Sequence, residues 1–434
     1  MNRHRRGWLV AIAALVVVAG CGGGGRKSAT STTTTPASTT TAPITTTTAP
    51  VSSTTVVPAD AGTWSLIPEG PNAVGRPVAW TGNELLVAES ACCGALGSVN
   101  LAAYNPVTNA WHKLPSAPLT FRTHAVGAWT GTEMIVAGGL ANATDNAEHA
   151  VPVSDGAAWD GATNTWHAIA AMPTTLPTLL PDPDSIAVWT GREMLVWSSV
   201  PAASTPATVG REVVLAYNPS TNTWRHLPAS GLTPRWNAVT VWTGKQLVVW
   251  GGFNSDFTTA YGDGASLDPT TGTWRRLPQA PVPARGEATA VWSGHEVLIW
   301  GGATPNGAEV GRGAAYNPVT NRWRALPPSP LRAKTRPAGV WTGHYFLVIG
   351  GSAGSTLPAP GPGTAAYDPA TNTWTALPAA PKYPPAAQNA PTFAADQRAD
   401  GLVVWTGKSS LLVGGLDFRQ QGSRSDGLKW TPAE

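Results

Sequence analysis

Beyond Trp8–Val18 the chain shows no helical 3.6-residue period; short apolar runs separated by turn residues recur instead. Trp-Thr/Ser-Gly appears seven times, with its Trp at 80, 129, 189, 242, 292, 341 and 405. An apolar run precedes each copy, as in Ala238–Trp242, and another follows, as in Gln246–Trp250 before Gly251-Gly252. A variable stretch leads to a second signature, Ala-Tyr-Asn/Asp-Pro-x-Thr-Asn-x-Trp. It is clean at Tyr104–Trp111, Tyr217–Trp224, Tyr316–Trp323 and Tyr367–Trp374, and Leu-Pro closes the unit. Each unit reads as four strands, A to D. Gly244 and its counterparts make the A–B turn, because glycine accepts a positive φ without a Cβ clash. Pro106, Pro219, Pro269, Pro318 and Pro369 set the C–D turn. Asn109, Asn164, Asn222, Asn321 and Asn372, with Gly272 and Gly62, hold the slot two residues before the outer Trp. Asn and Gly tolerate the left-handed region, so the slot is expected to need it.

The ends interlock in this pattern. The last unit has strands A, B and C at Leu402–Trp405, Leu411–Gly415 and Leu428–Trp430, and lacks D. Gly62–Pro68 is a D strand without its first three. The predicted fold is therefore an all-β, seven-bladed β-propeller whose ring is closed by the N-terminal strand. Fourteen of the 21 tryptophans are the two repeat positions of seven units; only Trp8 and Trp236 lie outside the framework. Rings at such recurring positions read as packing between neighbouring sheets, not as a ligand cage.

Composition divides the chain. Arg3, Arg5 and Arg6 precede the apolar run, which is too short to span a bilayer, so residues 1–20 read as a secretory signal. Val18-Ala19-Gly20-Cys21 resembles the bacterial lipobox, which would make Cys21 the lipidated first residue; an ordinary signal with an incidental Cys is the alternative. Arg5-Arg6 leaves twin-arginine and general export both open. Residues 21–59 form a Ser/Thr/Pro-rich linker that cannot bury enough surface to fold. The propeller occupies 60–434. Five of the 28 basic residues precede it, leaving 23 against 25 acidic, so nothing supports nucleic-acid binding. The expected product is an extracytoplasmic monomer, held to the cell membrane only through its lipid. Cys92-Cys93 form either a vicinal disulfide or a pair of free thiols.

Gly-Gly after strand B followed by Tyr-Asp/Asn-Pro-x-Thr-Asn-x-Trp resembles the kelch repeat over about 62–432, in the manner of the galactose oxidase central domain. Glu89-Ser90 and Ser198-Ser199 replace the double glycine in units one and three, and Leu267 and Trp159 replace the Tyr in two others. The resemblance implies fold and leaves function open. Strand direction puts the D–A and B–C loops on one face, where the long segments 140–155, 200–212, 253–264, 352–364 and 379–401 gather. Arg122, Arg235, Arg285 and Arg398 each lie seven residues before the repeat Trp, with Arg76 and Arg336 slightly closer. They read either as a mouth that holds an anion or as a framework pairing of the repeat. Trp236 is the stacking candidate beside them, and His124 is a weaker candidate. Gly350–Gly354 matches G-x-S-x-G without the helix a nucleophile elbow needs. No metal spacing or cofactor motif is present, and no catalytic residue is assigned. The leading expectation is a binding module for a protein or glycan on the long-loop face. Two alternatives stand: a carbohydrate-active enzyme similar in outline to kelch-type sialic acid mutarotases, and an envelope scaffold. In the enzyme reading Glu287 and Glu212 are the acids, with Arg235 or Arg285 on the substrate carboxylate.

Overall fold

The computed structural model describes residues 62–71, 77–88, 98–141, 151–177, 184–204, 207–352, 362–382, 396, 398–417 and 422–433. The signal and linker calls, Cys21, Arg76 and Cys92-Cys93 fall outside these.

Seven four-stranded antiparallel sheets form the body. Blade 1 comprises Val78–Trp80, Leu85–Ala88, Leu101–Asn105 and Ala110–Lys113; blades 2 to 6 repeat the order along the chain. Blade 7 takes Leu402–Trp405, Ser410–Val413 and Gly427–Thr431 from the C-terminus and Thr63–Ile67 from the N-terminus. Trp64 pairs with Trp430 in its ladder. The sequence places strands to within a residue or two: strand C runs one residue past the Tyr, and strand D starts one residue before the Trp in most blades.

Seven apolar clusters fill the body, and each is shared by two adjacent blades. The last joins Ile67, Leu402 and Leu411 of blade 7 to Leu85, Val87 and Tyr104 of blade 1, which closes the circle. In six of the seven neighbouring pairs the strands A pack on one another around the axis.

Each signature residue has a local task. In every Trp-Thr/Ser-Gly turn the hydroxyl accepts the backbone N–H three residues on, from Thr81–Glu84 at 2.9 Å to Thr406–Ser409 at 2.9 Å. The following glycine is left-handed, as in Gly244 at φ 83°, and its Cβ position is open; φ, not space, demands it. Asn109, Asn164, Asn222, Asn321 and Asn372 are all left-handed. In four blades the Asn Oδ1 accepts the strand-C Tyr hydroxyl, at 2.7 Å for Tyr104. Where Leu267 removes the hydroxyl, Gly272 removes the acceptor and keeps the φ at 69°.

The outer Trp stitches the ring. In all seven blades its Nε1–H donates to a backbone carbonyl of the preceding blade, in five of them that of the Leu-Pro proline, in one that of Pro68 after Ile67 and in one that of Ala170. Trp64 reaches Pro378 at 3.0 Å and Trp111 reaches Pro68 at 2.9 Å, so the seam is stitched like the other blades. Most repeat tryptophans are half-buried, and the fully buried ones are Trp197, Trp250 and Trp300 on strand B.

Candidate functional site

Two positions near the entrance to strand A decide the chemistry of the long-loop face. The first is the recurring arginine. Arg122, Arg235, Arg285 and Arg398 are between 0 and 4 % exposed, so they do not rim a mouth. This corrects the expectation that these four together rim a mouth. Each Nη1 donates to the first glycine of its own blade's double glycine, sixteen residues on, and to the carbonyl just before strand C. The backbone joins in, because the carbonyls of Arg285 and Arg398 accept the second glycine's N–H of the preceding blade, at 2.8 and 2.7 Å.

The double glycine needs such a clasp. Both residues are left-handed, as in Gly251 at φ 76° and Gly252 at φ 103°. The turn ends strand B and points carbonyls into the interior, where a buried cation satisfies them. In blade 6 Lys334 takes the arginine's place and reaches the carbonyl just before strand C, Gly363 O, at 2.9 Å. In blade 3, Ser198-Ser199 stay in the ladder and strand B runs on to Val200. Aspartates complete the clasp in three blades. Asp155 lies 2.7 Å from Arg122 Nη1, Asp263 2.7 Å from Arg235 and Asp426 3.0 Å from Arg398. Hydrogen bonds from Arg122 hold the Asp155 carboxyl below its ordinary range despite partial burial.

Trp236 is likewise interior at 7 % exposed. Its backbone pairs with Phe253 and its ring packs on Phe257 at 5.7 Å, so it anchors the blade-4 loop and presents no stacking face. Glu212 is held by Trp197 Nε1 at 2.7 Å and Ser230 N at 2.8 Å. Ser352 bridges Thr335 in a short antiparallel pairing, and the rest of the G-x-S-x-G run lies outside the described residues.

The second position lies two residues after the buried cation. His124, Asn237, Glu287, Arg336 and Asp400 occupy it in blades 2, 4, 5, 6 and 7, and all five are left-handed with φ between 51° and 59°. Backbone hydrogen bonds join neighbours around the axis: Glu287 N donates to Asn237 O, Arg336 N to Glu287 O and Asp400 N to Arg336 O. Arg336 is the one sequence-predicted arginine among the described residues that reaches this rim. Its guanidinium lies between two carboxylates, Nε and Nη2 on Glu287 Oε1 at 3.0 and 2.9 Å, and Nη1 on Asp400 Oδ2 at 3.1 Å. The side chains keep 21, 15 and 37 % of their surface exposed for Arg336, Glu287 and Asp400. Sequence reasoning reached Glu287, Arg336 and His124 singly, and missed Asn237, Asp400 and the clamp. The clamp carries one positive and two negative charges, so it suits hydroxyl donors better than an anion.

The sequence pattern of the KLHDC2/KLHL20/DRC7 Kelch-repeats domain matches residues 184–407, just over half of the chain. The chain belongs to the kelch-repeat family. Its structure is similar to one titled "Structure of YjhT", with a TM-score of 0.52 and 14 % identity over 72 % of this chain and 99 % of that one. In all, 689 solved chains match, so for this kelch propeller the likeness fixes architecture and leaves the ligand to its own residues. Among curated proteins, none matches in sequence.

Proposed function

We propose that this kelch propeller is an exported, lipid-anchored binding module that holds a glycan on its long-loop face, centred on the Glu287–Arg336–Asp400 clamp. The observation that carries this is backbone strain kept at the axial rim. Glu287 and Arg336 have neither the Asn/Asp side chain nor the bare Cα that eases a positive φ, yet both adopt it at the axial rim. Such conformations cost about 1 kcal/mol or more each and gather at ligand clamps. The paired charges hold one another in place, and carboxylate oxygens are the acceptors that sugar hydroxyls require. Export and anchoring rest on the Arg-rich apolar leader and the lipobox-like run to Cys21, with the Thr-rich linker as the spacer.

The test is Arg336→Gly. Glycine fits a φ of 51° better than arginine, so stability should hold or rise while the clamp is lost. On a glycan array the protein is expected to bind a defined set of sugars, and the variant to lose at least roughly tenfold in affinity, as removal of a charged hydrogen-bonding partner implies. Retention of binding in Arg336→Gly removes the clamp from the site. Capture of an envelope protein with a silent array turns the reading to a protein ligand.

A further inference from the structure

The clasp is incomplete in one blade. Among the described residues five blades carry the buried cation, and in four a carboxylate accompanies it. Asp155, Asp263 and Asp426 each stand immediately before strand C. Blade 6 has Gly363 there, and the Asp396 carboxylate fills the space that a Cβ on Gly363 would take, accepting Thr364 Oγ1 at 3.0 Å. Blade 5 has Arg312 at that position.

Arg285 is therefore a 1 %-exposed guanidinium whose only acceptors among the described residues are carbonyls. Its Nε donates to Pro283 O at 3.0 Å, and its Nη1 to Gly301 O at 3.1 Å and Arg312 O at 2.8 Å. Its Nη2 is buried with no partner. Burial, with repulsion from Arg312, pulls Arg285 down to about 10. Among the described residues no carboxylate pairs with Arg285 or with the exposed Arg312.

The neighbouring blades show what the place accepts. Asp263 sits between Arg235 and Arg276, and Asp426 between Arg398 and Arg424. Two guanidiniums flank one carboxylate in blades 4 and 7, one does so in blade 2, and in blade 5 Arg285 and Arg312 have no carboxylate between them among the described residues. In blades 2 and 4 the place opens to solvent, with Asp155 and Asp263 54 and 50 % exposed, whereas Asp426 in blade 7 is 7 % exposed. We propose that blade 5 binds a small oxyanion from solution between Arg285 and Arg312, where blades 2, 4 and 7 place their own aspartate. Carboxylate, phosphate and sulfate share the required chemistry: two or more oxygens that accept from the planar guanidinium fork. This site is separate from the axial clamp, and either can fail without the other.

The experiment melts the purified protein at constant ionic strength while sodium chloride is exchanged for phosphate, sulfate or glucuronate. Wild type should show a saturable rise in Tm, half-maximal in the millimolar range. Arg312→Asp supplies the missing carboxylate, so its Tm in chloride should exceed wild type's and its saturable rise should vanish. The linear stabilisation that excluded salts give any protein remains in both and is subtracted. Arg336→Gly should keep the full response. A rise with phosphate or sulfate assigns a free inorganic anion; a rise with glucuronate alone assigns a carboxylate borne by a larger ligand. No saturable rise with any of the three, or the same rise in Arg312→Asp, overturns the proposal.

Discussion

Removing residues 62–67 should abolish cooperative unfolding of the propeller. The segment supplies the whole outer strand of blade 7, opposite Gly427–Thr431. It buries Ile67 to 1 % exposure in the cluster that joins blades 7 and 1. Burial of one such side chain is worth roughly 1.5–3 kcal/mol. The paired backbone adds about 1 kcal/mol per hydrogen bond across the ladder, and the Trp64 stitch to Pro378 is lost as well. The sum, about 5 kcal/mol or more, matches the stability of many domains. It also uncovers a long strand edge at Gly427–Thr431, which invites aggregation. Circular dichroism melts of the truncated chain should show a broad, early transition and visible precipitate. A sharp melt at the wild-type temperature would mean that the ring holds without its first strand.

Arg235→Ala should be the most damaging single substitution among the sequence-predicted site residues, and damaging to folding, not to binding. The side chain is fully buried, donates to Thr233 O at 2.8 Å and Gly251 O at 3.1 Å, pairs with Asp263 at 2.7 Å and lies 4.3 Å over the Tyr261 ring. Truncation leaves inward-pointing carbonyls without donors and opens a cavity. Asp263 keeps Arg276 at 3.1 Å and half its solvent contact, so the aspartate itself is not stranded. The expected loss is about 3–5 kcal/mol, the range for breaking one side of a buried pair. Urea denaturation gives the number directly. Arg235→Lys should recover part of it, as Lys334 fills the same post in blade 6. A loss under about 1 kcal/mol, the scale of a surface pair, would mean that the clasp is ornamental.

These two results mark where the sequence could be read and where it could not. The ring was legible because each recurring residue solves a local problem at a fixed spacing: a hydroxyl for the A–B turn, an Asn or Gly for a left-handed corner, an indole for the next blade's carbonyl. Even the exception was written down, since Leu267 and Gly272 depart together. The arginines were seen and placed at the right entrance, but their direction was not. A spacing of seven to the repeat Trp says nothing about which way a long side chain turns. The informative spacing was sixteen, to the first glycine of the pair. Every blade with the double glycine has Arg or Lys there, and blades 1 and 3 lack both. Lys334 was missed, and Arg336 grouped with the clasp, because residue type and not register guided the comparison. The axial rim was harder. His124, Asn237, Glu287, Arg336 and Asp400 share no side-chain chemistry, only a φ, and backbone conformation leaves no trace in sequence when Glu and Arg adopt it.

The closed ring requires the head and tail of the folded chain to lie side by side in blade 7. Ser65 and Lys429 are direct partners in that ladder. Facing residues of an antiparallel pair have Cα atoms about 4.5–5.5 Å apart, within disulfide reach. With Cys92→Ser and Cys93→Ser to remove competing thiols, Ser65→Cys with Lys429→Cys should oxidise to an intramolecular disulfide. Peptide mass mapping should find 65 linked to 429 in a monomer. Free thiols after oxidation, or links only between molecules, would contradict the closed seven-bladed ring.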